Sequence, residues 1–515
     1  MWPLNIGEIA QILNISISNQ LFTQNQIFAA TTDSRKVQKN DLFIAIAGEQ
    51  YDGHNFVAQA LKQGACCALV SLPWLNQCSL NKNEKEMCLG VPDPLLAFRE
   101  IAFFFRKRFS FPVMGIGGSN GKTTTKEMLN SLLLGGGYKV TKTDKSENGY
   151  LGLPITLMNK QHSVENYPHA LILEIGIDEV GAMEKHIHLG SPDVVLLTAL
   201  GPEHLNGLVD WETAAREEFL LFRKSPQAKK IWQLYDEKLY QFFLETFNEN
   251  KLLLANDTIV FNKNIEQKIC RDLNLKKVQD LLLSVERIFS WDIEQSRALG
   301  ADLRFSSRDK WHLNKDPDHI TLSLSLPGNH NCANFALACA CALSLGRTWR
   351  ELKQGWNNFV QPPMRSTVSE IKKGVFLYND CYNASPLSMK VAIDALNTPE
   401  WQEKNKIVVL GDMLDLGSES NHWHESLSDY LKNLRNTNLF LYGQAMYNCY
   451  QKLTEQEKHL AHNNTTVAWF QPECDPSDFI DQTTAENFND TVILVKGSRG
   501  MKLERLVKKL EGIFL

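Results

Sequence analysis

The residues best suited to chemistry lie in one stretch, Val113-Met-Gly-Ile-Gly-Gly-Ser-Asn-Gly-Lys-Thr-Thr-Thr125, where a glycine loop is followed by Lys-Thr-Thr. Glycines let backbone N–H groups approach phosphate oxygens, and the start of a following helix adds a favourable dipole. Lys122 would reach the β- and γ-phosphates of a nucleotide, and the Thr123 hydroxyl would ligate Mg²⁺. Two common templates each miss by one residue. The G-x-x-x-x-G-K-[ST] form needs glycine where the chain has Ile116, and the G-x-G-x-x-G form, begun at Gly115, needs it where the chain has Asn120. What stands is Gly118, Ser119, Asn120, Gly121, Lys122, Thr123 and Thr124. A purely structural glycine turn would not require Lys-Thr-Thr directly behind it, so ATP binding with Mg²⁺ is the expectation.

Two further residues join this group by position. Glu174 ends the apolar run from Ala170, and His204 occupies a similar place in Leu197-Thr-Ala-Leu-Gly-Pro-Glu-His-Leu205. Both fall near the carboxyl ends of expected parallel strands, where open α/β sheets bind ligands. A lone carboxylate or histidine is more often a surface or satisfied core group. Together, after a phosphate loop, Thr123, Glu174 and His204 are the candidate Mg²⁺ ligands, although imidazole is a less usual donor to so hard a cation.

These groups need a scaffold, and the bulk properties describe one. A chain of 515 residues suggests roughly three domains. Hydrophobic residues at 43% and charged residues at 22% are ordinary for a globular protein. A net charge of −5 argues against a broad nucleic-acid footprint. The 11 cysteines form no C-x-x-C pair and no short disulfide framework, which favours buried reduced thiols and a cytoplasmic enzyme. The N-terminus lacks a basic start followed by an apolar core, so no signal peptide is expected. Between His319 and Gly346 no formal charge occurs, but the apolar run covers only Phe335 to Leu345, short of the ~20 residues of a membrane span. A buried helix is expected there.

The pattern along the chain is α/β throughout. Asp41 to Ala47 and Ala65 to Leu72 read as buried strands with a helix at Phe56 to Gly64 between them, and Arg99 to Phe111 reads as a helix. From Val113 the order is strand, glycine loop, helix, with further strands at Ala170 to Ile175 and Asp193 to Leu197. Ile320, Leu322, Leu324 and Leu326 alternate with polar residues, a period-2 strand with one wet face. Lys229 to Lys310 carries no chemical signal. After Gln361-Pro-Pro363 the rhythm restarts, with strands at Val375 to Tyr378, Lys406 to Leu410, Leu439 to Leu441 and Thr491 to Val495. The expected domains are 1–111, 112–362 and 363–515.

Several strings resemble the Mur ligase family, in the superfamily that includes folylpolyglutamate synthetase. Gly118-Ser-Asn-Gly-Lys-Thr-Thr124 is the loop variant typical of that superfamily. Thr32-Asp-Ser-Arg35 and the run from Asp41 to His54 resemble its N-terminal domain, which holds a UDP-sugar. Asn379-Asp-Cys-Tyr-Asn-Ala-Ser-Pro-Leu-Ser-Met389, Val409 to Gly417 and Val495-Lys-Gly-Ser-Arg-Gly-Met501 resemble the branch that adds D-Ala-D-Ala. The resemblance covers nearly the whole chain. It implies a small N-terminal α/β UDP-sugar domain, a central P-loop ATPase domain with a mostly parallel sheet, and a C-terminal Rossmann-like α/β domain. It also implies an ATP-dependent amide ligase acting on UDP-N-acetylmuramoyl-tripeptide and D-Ala-D-Ala, with an acyl phosphate between substrates and product. A monomer with no nucleic acid and no membrane span is the expected state.

By the same resemblance, Lys122 acts on the transferring phosphate, and Glu174 and His204 are metal ligands. Asn331 in Gly328-Asn-His-Asn-Cys-Ala-Asn334 contacts adenine, while Arg365 and Asp380 close over the nucleotide. Ser34, Arg35, Asn148, Asn383, Lys496 and Arg499 contact the substrates. The chain departs from the family pattern at Ala199 and Gly149, where asparagines are usual. An ungapped reading from His204 also puts Glu218 where the family carries a lysine that becomes carbamylated. Either Glu218 supplies a carboxylate directly, with Glu217 as its neighbouring alternative, or the register is shifted and Lys224 takes that place. Two rivals are a related amide ligase using a single amino acid and a P-loop nucleotide switch without ligase chemistry.

Overall fold

The computed structural model describes residues 3–17, 20–48, 51–145, 147–158, 167–248, 257–262, 265, 268, 287–297, 300–309, 319–324, 326–455, 457–475 and 488–514. The chain forms two compact units. The first comprises Met1–Ile116, Gly137–Gly176 and Gly181–Val195, and the second Gly117–Gly136, Ile177–Val180 and Leu196–Leu515.

In the first unit, β1 (Leu4–Asn5) and β2 (Gln26–Ile27) pair antiparallel. An all-parallel sheet follows in chain order, made of β3 (Ala29–Thr31), β4 (Asp41–Ile44), β5 (Cys67–Ser71) and β6 (Cys88–Val91). Leu42, Phe43 and Ile44 in β4 are all buried, which is why that strand reads as a continuous apolar run. The helix expected at Arg99 to Phe111 instead spans Pro94–Arg106. Asp93 accepts the N–H groups of Leu95 and Leu96, and Pro94 fills the first helical position, so capping rather than apolar spacing sets its start. Next come β7 (Val113–Gly117), β8 (Val140–Lys142) and β9 (Ala170–Glu174), parallel in the order β7-β9-β8.

The chain passes from the first unit to the second within β7 and again within β10 (Val194–Leu197). The second unit holds β11 (Lys229–Gln233), β12 (Thr258–Asn262), β13 (Arg287–Arg297), β14 (Gly300–Asp309) and β15 (His319–Leu324), neighbours in that order. The first two steps from β11 are parallel and the last two antiparallel. The segment without chemical signal is therefore largely scaffold, though 249–256, 263–264, 266–267, 269–286, 298–299 and 310 of it lie outside the described residues. Leu322 and Leu324 are buried while Thr321 and Ser323 are exposed, as their alternation requires. Phe335 to Leu343 lies in the buried helix Asn329–Ser344. Among the described residues no helix is long and apolar enough to cross a membrane.

A further sheet of the second unit runs in the order β16-β17-β21-β18-β19-β20, from β16 (Thr367–Lys372), β17 (Val375–Asp380), β18 (Asn405–Gly411), β19 (Thr437–Tyr442), β20 (Thr465–Phe470) and β21 (Thr491–Lys496). Every pair is parallel except β16 with β17. The edge strands β16 and β20 escape the sequence reading because each buries only one residue fully, leaving no strong period-2 signal.

The helix after the phosphate loop, Lys122–Gly135, packs directly on the helix Trp349–Trp356. A Cβ on Gly355 would lie 2.2 Å from the Ser131 carbonyl and 2.8 Å from that of Leu132, and one on Gly135 would lie 2.2 Å from the Glu351 carbonyl. The Ser131 hydroxyl donates to the Gly355 carbonyl at 2.8 Å. In an isolated helix Gly→Ala stabilises by about 1 kcal/mol. Here the contacts are backbone on backbone, so Gly355→Ala should instead lower stability by roughly 1–3 kcal/mol, read as a fall in Tm by thermal unfolding.

Candidate functional site

The phosphate loop leaves β7 with Gly118 at φ 111° and reaches its helix through Gly121 at φ 92°. A Cβ on Gly118 would lie 2.3 Å from Thr198 Oγ1, and one on Gly121 would lie 2.7 Å from Asn334 Nδ2. Both positions therefore require glycine for backbone angle and for space. The segment after β10 holds the loop by backbone pairing. The N–H groups of Ser119 and Asn120 donate to the Ala199 carbonyl at 2.9 and 3.2 Å, and Ala199 N–H donates to Asn120 O at 3.3 Å. Gly201 N–H donates to Ser119 Oγ at 3.0 Å, and Thr198 Oγ1 donates to Gly117 O at 3.1 Å. Ala199 supports the loop through main-chain atoms alone, so alanine in place of the usual asparagine leaves this support intact.

Lys122 Nζ donates to the carbonyls of Gly118 and Ser119 at 2.5 and 3.2 Å. It also lies 3.7 Å from Glu203 and 3.9 Å from Glu218. The second Glu218 oxygen accepts the Gly118 N–H at 2.7 Å. Glu218 is 3% exposed. Burial raises its pKa to about 7, against the lowering effects of Lys122 and the Gly118 N–H, with Glu203 and Glu217 adding to the rise. Of the alternatives left open by the sequence, Glu218 is the side chain at the loop. Glu217 is buried beside it in the chain, and Lys224 is exposed at the C-terminal cap of the same helix.

His204 caps the short helix Leu205–Leu208 at φ 54°, and Val209 closes it at φ 69°. Two such non-glycine residues cost about 1–3 kcal/mol each, a strain found where a side chain must be presented in one place. The His204 ring lies 3.6 Å from Glu203 and 4.0 Å from Asp415. Asn331 is buried, and its Nδ2 donates to the Pro327 carbonyl at 2.7 Å.

At the carboxyl ends of adjacent β17 and β21, Asp380 and Lys496 are register partners, with Lys496 Nζ 2.6 Å from Asp380 Oδ2. The same amine donates to Asn383 O at 3.1 Å, and the Ser366 N–H donates to Asp380 at 2.7 Å. The guanidinium groups of Arg365 and Arg499 lie 4.1 and 5.9 Å from the Tyr382 ring centre. The fold thus gathers Arg365, Asp380, Asn383, Lys496 and Arg499 into one cluster.

In the first unit Glu174 is buried at the end of β9 and accepts Asn148 Nδ2 at 2.9 Å. Asn148 therefore orients a carboxylate, a contact its position in the chain does not reveal. Ser34 is buried, while Arg35 is largely exposed and paired with Asp33 at 2.9 Å. No group of three His, Cys, Asp or Glu gathers as a metal cage among the described residues. Mg²⁺ typically takes one or two carboxylates and completes its shell with phosphate oxygens and water, so the Thr123 hydroxyl and the Glu174 carboxylate are each, taken singly, donors of the kind it accepts.

The sequence reading missed Thr198, Glu203, Tyr382 and Ser385. Glu203 could have been found from its place beside His204. The others are visible only through contacts between distant segments.

The chain matches the Mur ligase middle domain over residues 116–342, the Mur ligase glutamate ligase domain over 364–499 and the Mur ligase family catalytic domain over 27–86. A UDP-N-acetylmuramoyl-tripeptide–D-alanyl-D-alanine ligase of Bacillus subtilis is 27% identical over 506 residues, covering 98% of each chain. A MurF crystal structure from Acinetobacter baumannii has a TM-score of 0.72 at 21% identity, covering 99% of each chain. A MurF ligase from Thermotoga maritima in complex with ADP has a TM-score of 0.67 at 21% identity, covering 96% of this chain and 98% of that one.

Glu218 has a consequence for stability. Its pKa in the fold, about 7, lies above the ordinary 4.5, so between those values the folded state keeps a proton that the unfolded state releases. Its contribution is most favourable below the lower value, declines as pH rises to the upper one and is flat beyond, a change of roughly 3 kcal/mol. Glu218→Gln should remove that slope from a Tm series on nucleotide-free protein between about pH 5 and about pH 8.

Proposed function

This chain belongs to the Mur ligase family, and we propose that it joins D-alanyl-D-alanine to UDP-N-acetylmuramoyl-tripeptide with ATP, yielding ADP, phosphate and UDP-N-acetylmuramoyl-pentapeptide. The observation that carries this reading is the end-to-end match to a ligase of that specificity, 98% of each chain.

Amide formation from a carboxylate and an amine needs an activated acyl group. The tripeptide carboxylate attacks the γ-phosphorus of ATP, the bond to the β-bridging oxygen breaks, and ADP leaves. The dipeptide amine then adds to the acyl phosphate carbonyl and loses a proton, and the tetrahedral intermediate expels phosphate. Such transfers ask the protein mainly for positioning and charge neutralisation. Lys122 is assigned to the transferring phosphate, and the Gly118 to Thr124 loop to the remaining phosphate oxygens through the N–H groups from Gly121 to Thr124, since those of Gly118, Ser119 and Asn120 are held by Glu218 and Ala199. Glu218 holds the Gly118 N–H and sets the field at Lys122. Mg²⁺, assigned to Thr123, Glu174 and His204, would supply further neutralisation of phosphate charge. Asn331 is assigned to adenine, and Arg365 and Asp380 to closure over the nucleotide. Ser34, Arg35 and Asn148 are assigned to the UDP-linked substrate, and Asn383, Lys496 and Arg499 to the acceptor side. The domain division 1–111, 112–362 and 363–515, a monomeric state and a cytoplasmic location belong to the same reading.

A phosphate-release assay tests it, crossing tripeptides ending in meso-diaminopimelate or lysine with D-Ala-D-Ala or single amino acids. Release should require D-Ala-D-Ala. Turnover with a single amino acid instead would make the chain a sister ligase, and ATP binding without release would make it a switch. Glu218→Ala should lower kcat about a hundredfold. Added bicarbonate should not restore it, whereas recovery would return the role to a carbamylated lysine.

A further inference from the structure

Asn120, at the tip of the phosphate loop, has its main chain paired with Ala199, but its side chain belongs to a different contact. Its Oδ1 accepts the Ser385 hydroxyl at 2.9 Å, across 265 residues of sequence. Ser385 is 3% exposed and caps the helix Pro386–Ala395. Its Oγ accepts the Ser388 N–H at 3.3 Å, and its own N–H donates to Ser388 Oγ at 2.9 Å. Capping uses the hydroxyl as an acceptor, and of the two oxygens its one proton can reach, Asn120 Oδ1 at 2.9 Å is nearer than Ser388 Oγ at 3.1 Å.

The carboxamide has little freedom. Its Nδ2 is buried without a hydrogen-bond acceptor, a costly state for a donor, so the Ser385 bond is its specific anchor. A Cβ on Gly201 would meet this nitrogen at 3.3 Å and Leu387 at 3.1 Å. Loop tip, Gly201 turn and first turn of the Pro386–Ala395 helix thus converge on one amide group.

We propose that Ser385 is a positioning residue that acts on the nucleotide through Asn120. Seating of the Pro386–Ala395 helix and ordering of the phosphate loop share this hydrogen bond, so each favours the other. By linkage, nucleotide bound in the loop tightens the helix contact by the factor that the contact tightens nucleotide binding. The inference rests on the ATP-dependent reading and adds a residue that touches no reacting atom.

The test is a double-mutant cycle on the full chain, measuring binding of a non-hydrolysable ATP analogue with Mg²⁺ by calorimetry. Ser385→Gly removes the donor while glycine keeps most of the cap, so Tm should hardly move. It should weaken analogue binding by about threefold to tenfold, the range of one net hydrogen bond. Ser385→Thr, which keeps hydroxyl and cap, should bind like the wild type. In an Asn120→Ala background, Ser385→Gly should cost nothing further. An undiminished cost in that background would mean that Ser385 acts through general packing, and would overturn the proposal. Wild-type affinity in Ser385→Gly would overturn it too. Failure of the wild type itself to bind the analogue would remove the ATP reading, a result separate from either.

Discussion

The pairing of Ser119 and Asn120 with Ala199 is the contact on which the phosphate-loop site depends. A phosphate loop forms no hydrogen-bond ladder of its own, so its N–H groups point to one place only if another backbone holds it. The segment after β10 provides that backbone at separations near 3 Å. That approach leaves no room for a side chain at Gly118, and Asn334 fills the space at Gly121, so the two glycines answer to tertiary contacts as well as to their own backbone angles.

The electrostatics follow from that geometry. Lys122 lies against two loop carbonyls, with Glu203 and Glu218 within 4 Å of its amine. Two acids share one ammonium group in a dry place, and desolvation outweighs attraction at Glu218. The Gly118 N–H is thus held by the Glu218 carboxyl group, and the Lys122 amine is pre-placed by two loop carbonyls.

The last sheet positions its cluster by a different route. Parallel strands put their carboxyl ends on the same side, and direct pairing of β17 with β21 brings Asp380 to Lys496. The turn after β17 then carries Tyr382, whose ring lies near both Arg365 and Arg499, and leads to Ser385 at the next helix start. A single strand end thus supplies an ion pair, an aromatic support for two guanidinium groups and the contact to Asn120.

The sequence by itself determined the elements whose signals are local. Glycines followed by Lys-Thr-Thr specify a phosphate loop because a few neighbouring residues set its backbone, and buried strands announce themselves by continuous or alternating apolar residues. The C-terminal strands at Val375 to Tyr378 and Thr491 to Val495 were legible in the same way. The edge strands β16 and β20 were illegible because their faces are mostly exposed, and the start of Pro94–Arg106 was hidden in a cap. Only the tertiary structure decided that Glu218 rather than Lys224 meets the loop, that Asn148 holds Glu174 and that Asp380 pairs with Lys496. Those meetings depend on strand order, which departs from chain order at β7-β9-β8 and β17-β21-β18, and on which helix face turns inward. Neither is encoded in the spacing of any one segment, because each is the outcome of packing all of them against a common core.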